Sequence, residues 1–426
     1  MRLPATFAPL RHRNYRLYFT GQGFSLLGSW MEQTGRSWLV TLLAARVAAP
    51  GIDAAQLASY YLGLLTTVGS LPMLFGALFG GLAADRFSKK TLIASTQTAQ
   101  MLLSLGMAAL VFSGKAAIVH VFLFALLIGL TQVIDIPARQ SLVSELVEKD
   151  DLAGAIGLNS SLFNGSRMIG PALAGTLIGA LGGKDDRAVA ICFALNGLSY
   201  LTLLVALSLM GGEFPARAGG KESPLIQLKE AARYLKEDRP VRTLLQLLAG
   251  YSIFTIADWI LLPSLARFTL GADARQFGLL TSLKGLGAWL GALTIASLSS
   301  SSQRIRLLQI AAIVSPLLML AIALSGRYGL VACLMPLNGF FVVCFLANTN
   351  GLLQTSTPEA MRGRIMGVHA FLMMGLNPIG GLWAGELARR TSASMAMAFG
   401  AGVTLLLSLL TLTRSRELHR LADPPP

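Results

Sequence analysis

The chain has 426 residues, of which 54% are apolar and only 13% are charged, about half the charged share of soluble globular domains. Its formal net charge of +14 would suit nucleic acid, yet 23 of its 35 Lys and Arg fall in segments that alternate with apolar runs so as to lie on one side of a membrane. That is the positive-inside pattern of a multi-span protein, so the composition excludes a soluble domain and the basic charge needs no nucleic-acid partner.

Residues 1–16 are basic and lead into a long apolar run without a short apolar core and small-residue cleavage site, so no removable signal peptide is expected. A helix crosses about 30 Å of hydrocarbon with roughly 20 residues. Runs of that kind cover 17–45, 55–83, 91–113, 117–138, 152–181 and 187–211, then 243–268, 276–299, 307–325, 328–353, 364–388 and 393–413. Between the two sets lies the longest polar segment, 212–242, with Gly219-Gly220 and the amphipathic run Leu225 to Leu235. It reads as a linker with a surface helix, placed with both termini in the cytoplasm by the basic excess.

In the first span Gln22, Ser25, Ser29, Glu32 and Arg36 recur at steps of 3, 4, 3 and 4, which puts them on one helical face that is unsuited to lipid and suited to a cavity. Glu32 and Arg36 have two readings. They form an intrahelical ion pair that neutralises itself, or Glu32 takes up and releases a proton as its exposure changes. The second span ends in Gly81-Leu82-Ala83-Ala84-Asp85-Arg86-Phe87-Ser88-Lys89-Lys90, whose basic residues read as topology charges.

In the fifth span Ser160, Asn164, Arg167 and Pro171 share one face, while Gly157, Ser161, Gly165, Ala172 and Gly175 lie nearer another. The first suits a cavity and the second suits close packing on a neighbouring helix. An arginine at mid-membrane costs about 2.5–3.5 kcal/mol, so Arg167 must face a partner or water. It contacts an anionic or oxygen-rich substrate or sets the pKa of a nearby acid, or it sits in a buried ion pair or bonds broken backbone near Pro171. The run Gly170-Pro171-Ala172-Leu173-Ala174-Gly175 favours a bent, tightly apposed helix, because glycine admits a close neighbour and proline removes a backbone bond.

Tyr251, Thr255 and Asp258 share a face of the seventh span, and Asp258 is the second candidate proton site. Lys284 in the eighth adds positive charge to a cavity, snorkels, or pairs with an acid such as Asp258. Trp30, Trp38 and Trp259 stack on a substrate or serve lipid and packing contacts.

The two sets of spans repeat one another. A shift of 210 lays Gly157, Gly165, Ile169, Gly170, Ala174 and Gly175 on Gly367, Gly375, Ile379, Gly380, Ala384 and Gly385, and makes Asn377 the counterpart of Arg167. A shift of 215 lays Gly63-Leu64-Leu65-Thr66 on Gly278-Leu279-Leu280-Thr281. The expected fold is therefore all-α, with twelve transmembrane helices in two pseudo-symmetric six-helix bundles, 1–211 and 243–426, joined by 212–242. Parallel repeats of this kind are a transporter architecture with a central site.

Other classes lack their motifs. No G-x-x-x-x-G-K-[ST] or G-x-S-x-G occurs, and Gly285-Leu286-Gly287 is not extended to a dinucleotide fingerprint. Cys192, Cys333 and Cys344 fall in spans and the four histidines are scattered, so neither a metal site nor a cofactor is expected. The chain is not expected to be an enzyme.

The stretch from Gly81 to Lys90 resembles the signature G-x-L-x-D-R-x-G-R-K of the major facilitator superfamily, with Ser88 and Lys89 in place of the usual Gly and Arg. Arg13-Asn14-Tyr15-Arg16-Leu17, Asp135-Ile136-Pro137-Ala138-Arg139-Gln140, Leu158-Asn159-Ser160 and the Gly170 to Gly175 run resemble its branch of enterobactin exporters and macrolide efflux proteins. The resemblance spans almost the whole chain. It departs in the fourth span, which has His120 near its start where many proton-coupled drug exporters have arginine.

The resemblance implies a monomeric transporter of the bacterial inner membrane that exports a siderophore or an amphipathic drug-like molecule against protons by alternating access. Gln22, Ser29, Glu32, Arg36, Asn164, Arg167, Tyr251, Asp258, Lys284 and Asn377 are then the cavity candidates, with Glu32 and Asp258 as proton sites. It further implies a cytoplasmic latch in which Asp85, after Gly81 and beside Arg86 and Lys89, pairs with Arg139 and meets the eleventh helix near Arg362 and Arg364. Gly170, Pro171 and Gly175 would form a second gating joint. Import of a small metabolite is the nearest rival reading, and a membrane-embedded enzyme or a passive channel is the alternative from a different class, with no supporting motif.

Overall fold

The computed structural model describes residues 5–182, 186–212, 224–298 and 300–412, excepting the side chains of 5–6, 77–85, 224–228 and 360. Helix is the regular structure throughout these residues, as a bilayer requires when no water is present to satisfy exposed backbone groups. A 3₁₀ segment, Ala5–Arg11, precedes α1 (Arg13–Val47), α2 (Ala54–Arg86), α3 (Lys89–Phe112), α4 (Ile118–Glu145), α5 (Leu152–Ala180) and α6 (Asp186–Leu209). The amphipathic run forms α7 (Pro224–Glu237). There follow α8 (Arg239–Phe254), α9 (Ile256–Ser264), α10 (Ala274–Ser297), α11 (Ser301–Leu324), α12 (Tyr328–Ser356), α13 (Glu359–Ala370), α14 (Asn377–Arg390) and α15 (Ala393–Leu412).

Among the described residues, nine helical segments are long and apolar enough to cross a membrane. The helices α1, α3 and α5 are also long, at 35, 24 and 29 residues, but are more polar. Their polarity comes from the stripe of α1, from Thr96, Gln97, Gln100 and Ser104 of α3, and from Asn159, Ser160, Asn164 and Arg167 of α5.

Two of the expected spans are discontinuous. The seventh is divided at Thr255 between α8 and α9 and runs on through a π-helical turn, Leu265–Thr269, just after Pro263. The eleventh is divided between α13 and α14 by a second π-helical turn, Phe371–Gly375, just before Pro378. A proline cannot donate to the ladder, and interruptions of this sort survive in a membrane only where neighbours take up the freed groups. Here Trp383 of α14 donates its indole N–H to the Ile253 carbonyl at 2.9 Å.

The chain packs as two compact units, and each draws on both sequence repeats. One contains Met1–Leu43, Leu71–Gly220 and Asp273–Ser282. One of its cores gathers Tyr15, Tyr18, Ile93, Ala138, Leu142, Leu158, Leu203 and Leu207. The other contains Ala44–Ser70, Lys221–Ala272 and Leu283–Pro426. Its core joins Val241, Leu244, Leu248, Tyr251, Leu308, Ala312, Phe345, Leu352 and Ile365, with Ala231 of α7 among them. The linker helix is thus part of that core's edge, and Glu230 anchors it further through an ion pair with Arg364 at 2.7 Å.

The charges after α2 do more than mark topology. Lys89 is 2% exposed and its Nζ lies 3.0 Å from Glu145 Oε1 at the end of α4. Lys90 donates to the Met210 carbonyl after α6 at 2.9 Å. The start of α3 is therefore stapled to two neighbours. Breaking a buried pair from one side costs about 3–5 kcal/mol. The expected result is that Lys89→Met lowers the unfolding temperature in detergent by several degrees and that adding Glu145→Gln recovers part of the loss. Equal unfolding temperatures for Lys89→Met and the unchanged chain would remove the staple.

Candidate functional site

Within the first unit, α5 lies against α1 because Gly170 lets it. A Cβ at Gly170 would meet Trp30 Cβ at 2.6 Å and the Met31 backbone nitrogen at 3.0 Å. This approach places Trp30 beside two residues of α5. The Phe163 ring meets it edge-on, 5.5 Å between centroids and 73° between planes. The Arg167 guanidinium lies over the Trp30 ring, 5.7 Å from its centroid. Trp30, Asn164 and Arg167 are half-buried and Ser160 is exposed, so this face of α5 is polar and accessible. Asn164 donates to the Ser160 carbonyl at 2.9 Å.

The polar stripe of α1 lies on a different face. Gln22, Ser25 and Glu32 are buried, and Ser29 and Arg36 are half-buried. Ser25 donates to Gln97 of α3 at 3.2 Å, and Ser29 meets the Tyr200 hydroxyl of α6 at 3.4 Å. Glu32 Oε1 lies 3.5 Å from Arg36 Nε, and Arg36 also covers the Phe124 ring of α4 at 5.5 Å. The stripe thus meets α3, α4 and α6 inside the unit. The network continues through Gln97, which donates to Gln100 at 3.0 Å, and Gln100, which donates to Thr131 at 2.8 Å.

One buried acid of this region was not singled out as a site residue by sequence reasoning. Asp135 of α4 accepts from Thr96 at 2.7 Å and from Arg139 Nε at 2.6 Å. Its i,i+4 spacing to Arg139 is the signal that marks it. Asp135 is therefore a described partner of Arg139. Gly81 and Asp85, named in the expected latch, lie outside the residues whose side chains and surroundings are described. Arg86 and Arg362 are exposed, and Arg364 holds Glu230.

In the second unit Asp258 sits in the first turn of α9, directly after the helix break. Its Oδ2 accepts from Lys284 of α10 at 2.6 Å, and both side chains are at most 4% exposed. Its Oδ1 has no hydrogen-bond partner among the described residues. Glycines hold α12 against α10 at this point, since a Cβ at Gly339 would collide with the Lys284 carbonyl. Tyr251 is buried, stacked on Phe345 with centroids 4.0 Å apart, and shares a 2.6 Å hydrogen bond with Ser315. Thr255 meets Thr404 at 3.3 Å. Asn377, half-buried, opens α14 after the π-helical turn. Asn338, Asn348 and His369 are further buried polar residues of this unit.

The repeated glycines meet one another in two equivalent crossings. In the first unit a Cβ at Gly175 would lie 2.7 Å from the Ala274 carbonyl and 2.9 Å from Gly278 Cα. One at Gly278 would reach the Pro171 carbonyl at 2.5 Å. In the second unit a Cβ at Gly385 would lie 3.0 Å from Gly63 Cα, and one at Gly63 would meet the Gly381 carbonyl at 2.5 Å. Gly63 and Gly278 are repeat counterparts, as are Gly175 and Gly385. The first crossing is lined by Trp38 stacked on Phe277, 5.6 Å between centroids. Polar pairs line the second, with Ser59 on Ser264 at 2.7 Å and Thr67 donating to the Pro378 carbonyl at 3.1 Å. Gly157 and Gly165, expected to pack closely, instead face open space, since a Cβ at either would meet nothing within 4 Å.

Residues 4–422 match the family model described as transmembrane secretion effector, of the major facilitator type. The chain belongs to this family. It is therefore a membrane transporter and not an enzyme. The enterobactin exporter EntS of Shigella flexneri is 30% identical over 380 residues, covering 86% of each chain. The multidrug efflux pump Tap of Mycolicibacterium fortuitum is 26% identical over 374 residues, covering 85% of this transporter and 89% of Tap. The same fold occurs in a D-xylose-proton symporter, with a TM-score of 0.68 at 14% identity over 93% of this transporter and 96% of that chain.

Proposed function

We propose that this transporter exports a siderophore or an amphipathic drug-like compound in exchange for protons, by alternating access of its two sequence repeats. Coupling is supported chiefly by one observation: among the buried acid–base pairs of the membrane helices, each packing unit has one on the polar faces singled out above, Glu32 beside Arg36 and Asp258 beside Lys284. A carboxylate held in this way exchanges a proton when its base is drawn aside, so proton uptake is linked to a change of packing. Export as the direction is supported by the similarity to the enterobactin exporter EntS and the multidrug efflux pump Tap. The site is the bacterial inner membrane, with both termini cytoplasmic and a monomer as the working unit. Asp85 remains in this proposal as the acid of a cytoplasmic latch.

The test compares retention of siderophores and drugs in cells with and without the transporter. Lower retention of at least one chemically unchanged compound is expected, with the difference abolished by a protonophore. Equal retention across the panel, or lower retention that survives collapse of the proton gradient at constant ATP, rejects the proton-coupled exporter.

A further inference from the structure

We propose that Trp30, Phe163 and Arg167 form a recognition platform for an aromatic oxyanion, a planar ring carrying a carboxylate or a pair of adjacent oxygens. The proposal rests on the transporter reading above and adds the class of compound that the first unit selects. Three observations carry it.

The first is construction. Gly170 brings α5 so close to α1 that a Cβ there would strike Trp30 Cβ. The indole is thus fixed from its base, and Phe163 braces it edge-on. An aromatic pair of this geometry contributes about 0.5–1.5 kcal/mol beyond its buried area. The platform is therefore ordered before any ligand arrives, which lowers the ordering cost of binding.

The second is the way Arg167 is held. Its guanidinium carbon lies over the Trp30 ring, 5.7 Å from the centroid, and a guanidinium carries its N–H donors in one planar fork. That fork matches two oxygens on one ligand, a geometry a lysine does not offer. Placing an arginine here costs about 2.5–3.5 kcal/mol on insertion scales, which makes a charged residue at mid-membrane a functional position by default.

The third is accessibility and surroundings. Phe163 is 44% exposed and Trp30 and Arg167 are half-buried. A flat ring can therefore lie on Phe163 while its oxygens meet Arg167. Asn164 and Ser160 continue the same helical face and supply polar groups at its rim. A compound with an aromatic ring but a cationic group meets the same apolar surface and is repelled by the guanidinium. Specificity here comes from a repulsive element as well as an attractive one.

The experiment measures binding to the full-length transporter in lipid nanodiscs by equilibrium dialysis. The probes are a naphthalene carboxylate, a cyclohexane carboxylate and the aromatic cation ethidium. Expected for the unchanged chain is a preference of about tenfold or more for the aromatic acid over the aliphatic one, a 1.4 kcal/mol difference. Arg167→Gln should weaken the aromatic acid about tenfold and strengthen ethidium, and Arg167→Lys should recover only part of the acid affinity. Trp30→Leu should erase the aromatic preference while Trp30→Phe keeps most of it. Monodisperse elution in detergent identifies folded variants, and if Arg167→Gln does not fold, Arg167→Lys and the Trp30 pair decide the matter. Equal affinity for the two acids in the unchanged chain overturns the platform, as does a uniform loss of all three probes in folded Arg167→Gln. Selective binding without efflux of any compound in the cellular assay would reject the exporter reading alone. Efflux without selective binding would reject the platform alone.

Discussion

Asp258→Asn is expected to abolish proton-driven efflux and also to lower the yield of folded transporter. Two effects are superposed. The carboxylate is one member of a 2.6 Å ion pair at most 4% exposed, so its loss removes the negative charge that faces the buried Lys284 ammonium. Removing one partner of such a pair costs about 3–5 kcal/mol, whereas neutralising both is often nearly harmless. Asp258→Asn combined with Lys284→Gln is therefore expected to restore folded protein without restoring coupling. Proton movement on substrate addition to reconstituted vesicles, read with a pH-sensitive dye, checks this. A folded double variant that still moves protons would clear Asp258 of the role and leave Glu32, whose Glu32→Gln variant is then expected to be the uncoupled one.

The contrast between these two acids also shows what was legible from sequence. Length and apolarity located the helices, because a bilayer fixes how many residues a span needs. The linker helix was legible from its amphipathic run, and Asp258 was named among the acids with which Lys284 pairs. Periodicity told which residues of α1 share a face, but no periodicity tells what a face meets, and that face turns toward α3, α4 and α6. The interruptions at Thr255 and at the two π-helical turns were hidden because a proline such as Pro263 or Pro378 marks a weak point without saying what packs on it, and contacts such as that of Trp383 with the Ile253 carbonyl join residues 130 apart in the chain. Asp135 stands at i,i+4 to Arg139, but its contact with Thr96, 39 residues away in the chain, is not legible from spacing. The repeat arithmetic showed that Gly63 corresponds to Gly278 and Gly175 to Gly385. It did not show that the pairs meet crosswise, Gly63 on Gly385 and Gly175 on Gly278.

Those crossings make the second large effect. Gly385→Val and Gly175→Val are each expected to reduce transport more than tenfold while leaving the protein folded. With backbone atoms 3.0 Å or less from the new Cβ, a branched side chain forces the helices apart. Overpacking costs roughly 1–3 kcal/mol. If the crossings open and reform in each cycle, the cost falls on the conformation in which they are closed, and about 2 kcal/mol shifts a two-state population roughly 30-fold. Gly165→Ala is the matched control on α5, since the added methyl meets nothing within 4 Å and transport should be unchanged. The conformational part is read in a background without Cys192, Cys333 and Cys344, with cysteines placed at Ser59 and Ser264, whose hydroxyls are 2.7 Å apart. Oxidative cross-linking between them should be efficient in the parent and fall sharply in Gly385→Val. Undiminished cross-linking together with lost transport would show that the glycine serves something other than closure, and normal transport in both valine variants would remove the crossings from the cycle.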